Sequence, residues 1–199
     1  MSESIARPPV ANAKQTLRET LAPARRAASA DAAVSAALAR RVSDLLNHEA
    51  CVTVGFYWPL PGEFDARATL AEWLAGAPQR RAALPVIAEP YSPLSFSTWT
   101  PDAPMRIGHH RIPEPADGQR VVPVLLLIPC VAADAQGFRL GYGGGYYDRT
   151  LAAWPGEALP LTVGLACEAC LVEVLPREPH DRPLDWILTE QRARRSGAV

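Results

Sequence analysis

Net charge is nearly absent from this sequence: over 199 residues the acidic and basic side chains sum to −1. That balance gives no electrostatic basis for a nucleic-acid groove or for binding an anionic membrane surface. Small anionic ligands stay open, because a local cluster of Arg and Lys holds phosphate whatever the overall charge. Long apolar runs are missing too. The first twenty residues carry Ser, Glu, Arg, Pro-Pro, Asn, Lys and Gln and no signal-peptide core. The longest strongly apolar stretch, Val121 to Ile128, is broken by Pro123 and has strand length, far too short to span a bilayer. A soluble, cytoplasmic, monomeric chain is expected, with no nucleic acid or membrane as partner. Repeats, low-complexity tracts and linkers are lacking, so 1–199 reads as one domain, with polar ends 1–10 and 191–199 expected to be mobile. At 48% hydrophobic residues, that domain has material for a substantial core.

Cysteine is scarce. Cys51 and Cys130 stand alone in separate apolar stretches, while Cys167-Glu-Ala-Cys170 has CxxC spacing. A structural zinc site wants four ligands, and a thioredoxin-like motif wants CxxC between a strand and a helix start. Here the motif precedes Leu-Val-Glu-Val-Leu-Pro, so reduced, buried thiols are the expectation.

What the chain does have is alternation. Ala11 to Leu21 reads as a helix with Lys14 and Arg18 four apart on one face, and Asp31 to Asn47 as a second, with Val34, Leu38, Val42 and Leu45 at helical spacing and Ser29 or Asp31 as its cap. Cys51 to Tyr57 reads as a strand, and Asp65 can cap a helix carrying Leu70, Trp73 and Leu74 and ending near Gly76. Strands follow at 83–87, 94–99, 124–128, 161–166 and 185–188, with an ordered loop over 101–117 and a helix over 146–153. Strands alternating with helices imply an α/β fold: a three-layer sandwich with a mainly parallel central sheet and helices on both faces.

Chemistry concentrates at Arg139-Leu-Gly-Tyr-Gly-Gly-Gly-Tyr-Tyr-Asp148. Glycines let backbone N–H groups approach an anion, and the following helix start adds a favourable dipole. Such a loop belongs beyond the carboxyl ends of parallel strands, where ligands settle. Arg139 can make bidentate contacts with phosphate oxygens, and Asp148 can hold Mg²⁺. A Gly-Lys-Ser/Thr ending is absent, so this is no Walker A loop. Tyr146 stands where the dinucleotide fingerprint wants its third glycine. A tight structural turn without a ligand is the bland alternative. Likewise Lys14 and Arg18 can be a solvated helix face, Glu63 a cap, and Asp148 a charge favoured by the helix dipole. His180-Asp181 has no nucleophile placed beside it, and His109-His110 reads as surface.

These residues resemble the 5-formyltetrahydrofolate cyclo-ligase family, also called methenyltetrahydrofolate synthetase. The resemblance rests on Arg139 to Arg149 and on Lys14-x-x-x-Arg18, Tyr57-Trp-Pro-Leu-Pro-Gly-Glu63, Leu84-Pro-Val86, Ile112-Pro-Glu-Pro115, Glu178-Pro-His-Asp181 and Leu184-Asp185, in family order over nearly the whole chain. It implies ATP- and Mg²⁺-dependent conversion of 5-formyltetrahydrofolate to 5,10-methenyltetrahydrofolate, through phosphorylation of the formyl oxygen and attack by N10. Carried onto this chain, it implies that Lys14 and Arg18 contact the ATP phosphates. Arg139, Leu140, Gly141, Tyr142, Gly143, Gly144, Gly145, Tyr146 and Tyr147 wrap the nucleotide, with Arg139, Tyr147 and Lys14 as catalytic groups. Tyr142 to Tyr146 also face the folate, Leu60 and Glu63 contact the pterin, and Asp148 and Asp181 bind Mg²⁺. The pattern departs at Cys130, Ala133 and Cys170, all near the implied folate pocket. A folate-binding protein without turnover, or a ligase for another formylated metabolite, are the rival readings.

Overall fold

The computed structural model describes residues 9–197. Its elements are α1 (Pro9–Ala30), α2 (Ala32–His48), β1 (Thr53–Gly55), α3 (Arg67–Ala75), β2 (Arg81–Val86), β3 (Ser95–Trp99), β4 (Met105–Ile107), β5 (Pro113–Pro115), β6 (Arg120–Val121), β7 (Leu125–Pro129), β8 (Ala132–Asp134), β9 (Arg139–Leu140), α4 (Tyr146–Ala152), β10 (Leu161–Leu165), β11 (Leu171–Val172), β12 (Trp186–Leu188) and β13 (Ala193–Arg195). The main sheet runs β13-β12-β10-β7-β1-β2-β3-β6. Its five inner strands, from β12 to β2, are parallel; β13, β3 and β6 join antiparallel.

The unbroken apolar run of β7 follows from its central place. Leu125 and Leu127 pack into the cluster holding Leu38, Val42 and Leu70 of α2 and α3. Leu126 and Ile128 point the other way, into the cluster holding Leu151 of α4. A strand covered on both faces has no polar side to show, and each of these four fully buried side chains contributes roughly 1.5–3 kcal/mol. Helices therefore cover both faces of an α/β sheet, as expected. Asp31 caps α2, its Oδ1 accepting from the N–H groups of Ala33 and Val34. Asp65 lies one residue before the cap position, which Ala66 occupies, and accepts instead from the Arg67 N–H at 3.0 Å.

Three local expectations need correction, and one small sheet is new. The first helix does not stop at Leu21 but runs to Ala30 with Pro23 inside it. Leu17 and Leu21 pack there against Val131, Leu140 and Leu175, and that packing outweighs the one hydrogen bond a proline lacks. The stretch 101–117 is no plain loop, since β4 and β5 pair as a hairpin within it. A separate small sheet, β11-β8-β9, was not anticipated, its strands being only two or three residues long. At the C-terminal end, expected to fray, Ala193–Arg195 pair antiparallel with β12, because backbone pairing does not need apolar side chains. Of the ends expected to be mobile, residues 1–8 and 198–199 lie outside the described residues.

Candidate functional site

Three strands of the main sheet, β1, β7 and β10, end at one narrow cleft. Tyr57 and Glu63 come from the segment after β1, Pro129 and Cys130 from the end of β7, and Leu165 and Cys167 from the end of β10; Arg25 of α1 closes it. Its space for water-sized molecules is about 40 Å³. The glycine loop sits beside this cleft, though by a different route from the one expected. It does not follow the buried strand directly. The β8–β9 hairpin leaves β7 and returns to it, so the Val131 N–H donates to the Leu140 carbonyl at 2.8 Å just before the loop begins. The loop thus lies beyond the carboxyl ends of the parallel strands, where open α/β sheets bind ligands.

Tyr142, Gly143 and Gly144 are exposed, and the loop is not packed into the core. Gly143 (φ 97°) and Gly145 (φ 64°) hold left-handed conformations that favour glycine. Arg18 reaches the loop from α1, its Nε donating to the Gly141 carbonyl at 2.7 Å. Arg149 returns from α4 to donate to the Gly144 carbonyl at 2.7 Å and lies over the Tyr146 ring. His110 Nε2 sits 2.9 Å from the Tyr146 hydroxyl.

Charged pairs flank the loop. Arg139 Nη2 bonds Asp148 Oδ1 at 2.7 Å, and Arg139 Nη1 donates to the Arg182 carbonyl at 3.1 Å. Lys14, the single lysine of the sequence, is buried and bonds Asp181 Oδ2 at 2.6 Å and Glu178 Oε2 at 2.8 Å. Burial alone would lower the Lys14 pKa, but the two carboxylates outweigh it and raise it. The Asp181 carboxyl is likewise pushed up by burial and held below its usual range by Lys14 and the Glu178 N–H. The Arg182 N–H lies 3.4 Å from Asp148 Oδ1, so the two pairs are neighbours.

At the cleft, burial pushes the Glu63 carboxyl up to about 6, against the Leu60 N–H (2.7 Å) and the Tyr142 hydroxyl, which hold it down. Arg25 stacks over Tyr142, 4.9 Å from the ring centre. The hydroxyl of Tyr147 is buried without a hydrogen-bond partner among the described residues, an arrangement a ligand would relieve. Trp58 is itself covered by the Arg67 guanidinium at 4.3 Å.

Residues 10–190 match the model of the 5-formyltetrahydrofolate cyclo-ligase family. The chain belongs to the 5-formyltetrahydrofolate cyclo-ligase family. A curated relative from Haemophilus influenzae, named 5-formyltetrahydrofolate cyclo-ligase, is 35% identical over 153 residues, covering 73% of this chain and 79% of the relative. One of the same name from Escherichia coli K12 is 36% identical over 148 residues, with 70% and 79% covered. The solved 5,10-methenyltetrahydrofolate synthetase of Aquifex aeolicus superposes with a TM-score of 0.78 at 29% identity, covering 94% of each chain. This cyclo-ligase family member is therefore an enzyme of the ligase class.

The fold brings Arg18, Arg139 and Asp148 to the glycine loop, the Lys14–Asp181 pair next to Asp148, and Glu63, with Leu60 bonded to it, to the cleft. Arg25, Arg149 and Glu178 carry no role of their own in the sequence reading. Arg25 lies seven residues after Arg18, two turns along one helix face, beyond Leu21, where the first helix is expected to end. Glu178 stood inside a recognised motif. His109 and His110 are exposed, as the surface reading expects, and the contact of His110 with Tyr146 spans 36 residues, beyond what local sequence carries.

Proposed function

We propose that this ligase cyclises 5-formyltetrahydrofolate to 5,10-methenyltetrahydrofolate, consuming ATP and releasing ADP and phosphate with Mg²⁺ present. The observation that carries this reading is the adjacency of two unlike half-sites, joined by Tyr142. One is a cation-flanked glycine loop suited to phosphates. The other is a cleft with a buried carboxylate, and Tyr142 belongs to the loop while facing Glu63 and lying under Arg25.

Phosphoryl transfer asks a protein for positioning and charge neutralisation more than for covalent help. Lys14, Arg18 and Arg139 supply cations at the loop, whose main chain from Leu140 through Gly141, Gly143, Gly144 and Gly145 to Tyr147 offers amides to the triphosphate. The Tyr147 hydroxyl, without a hydrogen-bond partner among the described residues, donates to a reacting oxygen and, with Arg139 and Lys14, steadies the charge that develops there. In the cleft, Glu63 accepts hydrogen bonds from the amino and ring N–H groups of the pterin, beside Leu60. Tyr142 and Tyr146 close over the folate and hold its N10 near the formyl carbon.

Asp148 and Asp181 fit Mg²⁺ in kind, as hard carboxylate donors. Glu178, His180 and Asp181 also bring ligand atoms within 4.8 Å of one another. The bonds described engage Oδ1 of Asp148 and Oδ2 of Asp181, so each carboxylate has a second oxygen to present. Mg²⁺ bound there would neutralise phosphate charge. We propose a monomer, and no described helix is long and apolar enough to cross a membrane. We assign the protein to the cytoplasm, where ATP and reduced folates meet.

The test is to incubate the protein with 5-formyltetrahydrofolate, ATP and Mg²⁺ and follow the near-ultraviolet absorbance of the methenyl product. Product formation that needs all three supports the assignment. Folate binding without product would favour a non-catalytic binder, and ATP consumption only with a different formylated compound would move the substrate.

A further inference from the structure

Cys167 and Cys170 take no part in the chemistry above. After β10 the chain makes one 3-10 turn over Glu168–Cys170, closed by the Cys170 N–H donating to the Cys167 carbonyl at 2.9 Å. The turn brings the two sulfurs to 2.9 Å. It is pinned from outside: the Glu168 N–H donates to Glu190 at 2.9 Å, the Thr189 hydroxyl to Glu168 at 2.6 Å, and Arg192 pairs with Glu168. The sulfurs are thus held close by the fold.

The two thiols differ as an attacking and a resolving pair should. Cys167 is half-buried and lines the cleft with Arg25 and Glu63, whereas Cys170 is fully buried. A hydrogen bond from Cys170 holds the Cys167 thiol below its usual range, while the same contact and burial push Cys170 far up. A low, accessible thiol is the nucleophile in disulfide exchange. Zinc does not explain the pair: among the described residues, the grouping of three or more His, Cys, Asp or Glu able to hold a metal is Glu178, His180 and Asp181.

We propose that Cys167 and Cys170 form a reversible dithiol–disulfide couple on the cleft wall, oxidised by low-molecular-weight disulfides, and that oxidation weakens ligand binding in the cleft. The Cys167 thiolate attacks one sulfur of the small disulfide, whose S–S bond breaks and whose other half leaves as a thiolate and takes up a proton. Cys170 loses its proton and attacks the Cys167 sulfur of the mixed disulfide, expelling the second small thiol. Two protein thiols are oxidised and one small disulfide is reduced to two thiols. The new bond draws the Cys167 sulfur from the cleft toward buried Cys170. It also stiffens the turn against which α1, carrier of Lys14, Arg18 and Arg25, packs. The effect on turnover rests on the cyclo-ligase reading; the disulfide itself does not.

The full-length protein is equilibrated in glutathione buffers of graded redox poise, quenched in acid, and read by thiol count and peptide mass. The expected result is loss of two thiols, a 167–170 peptide lighter by two hydrogen atoms, and recovery with dithiothreitol. Cys170→Ser stops as a glutathione adduct on Cys167, and Cys167→Ser forms no disulfide. In the oxidised wild type the KM for 5-formyltetrahydrofolate rises while kcat holds. No disulfide within that peptide at the most oxidising poise, or one formed through Cys130 or Cys51, overturns the couple. An unchanged KM in fully oxidised protein overturns its effect on the cleft. If the disulfide forms reversibly but reduced protein makes no methenyl product, the couple stands and the assigned reaction falls.

Discussion

Arg139 and Asp148 flank the glycine loop as one ion pair, 2.7 Å between Nη2 and Oδ1, with the Arg139 side chain only 6% exposed. Each residue is therefore partner to the other as well as to the ligand it is proposed to hold. The loop between them is tied at both ends, and its glycines are presented from a closed base instead of a loose strap. Two residues read from sequence as separate phosphate and metal contacts are mechanically one unit.

That pairing governs what truncation does. Asp148→Ala should reduce turnover and also destabilise the fold by about 3 kcal/mol, because it leaves a buried guanidinium without its counter-charge. Removing both partners together, as in Arg139→Met with Asp148→Leu, should recover much of that stability while turnover stays lost. Urea unfolding of the two single variants and the double variant tests this, and additive losses would show that the pair is not coupled.

Glu63 links stability and binding with opposite signs. Its carboxyl stands at about 6 in the fold against 4.5 ordinarily, so ionisation costs more in the folded protein than in the unfolded chain. Its contribution is most favourable below the unfolded value and is lost as pH rises through about 6. Glu63→Gln should therefore stabilise the protein by about 1–2 kcal/mol at neutral pH. The same variant should raise the KM for the folate, and the wild-type KM should climb as pH falls below about 6. Thermal melts and KM measured from pH 5 to 8 check both halves.

Lys14 works the other way. Asp181 is held below its ordinary value of 3.8, so its contribution is present above that value and fades as pH falls through the folded one. Lys14 is raised above 10.5, so its share is present below that value and fades at more alkaline pH. Lys14→Met should flatten the acid limb of the stability profile and cut kcat/KM for ATP at least about a hundredfold, as expected for a lost charge contact at a transferring phosphoryl group. A variant with ordinary ATP kinetics would remove Lys14 from the nucleotide site.

Gly143 offers a steric test of the loop. An added Cβ would sit 3.3 Å from the Arg18 guanidinium on a backbone at φ 97°. Gly143→Ala should cost about 1–2 kcal/mol from the left-handed backbone alone and should raise the KM for ATP by displacing Arg18. Isothermal titration with a non-hydrolysable ATP analogue measures the second effect.

Hydrophobic period and glycine spacing are local properties, and they determined the main elements: α2, the buried β7, the α/β class, and a glycine-rich loop at 139–148. The chain's own motifs also carried its family. Tertiary structure alone decided which groups face one another. Whether Pro23 ends a helix depends on what Leu17 and Leu21 pack against, and only the continued helix brings Arg25 over Tyr142. His110 gains its partner across 36 positions, and Lys14 meets Asp181 across 167. CxxC spacing leaves sulfur geometry open, and the single turn pinned by Glu190 and Thr189 closes it to 2.9 Å. Such contacts depend on the path of the backbone between distant segments, which no window of sequence contains.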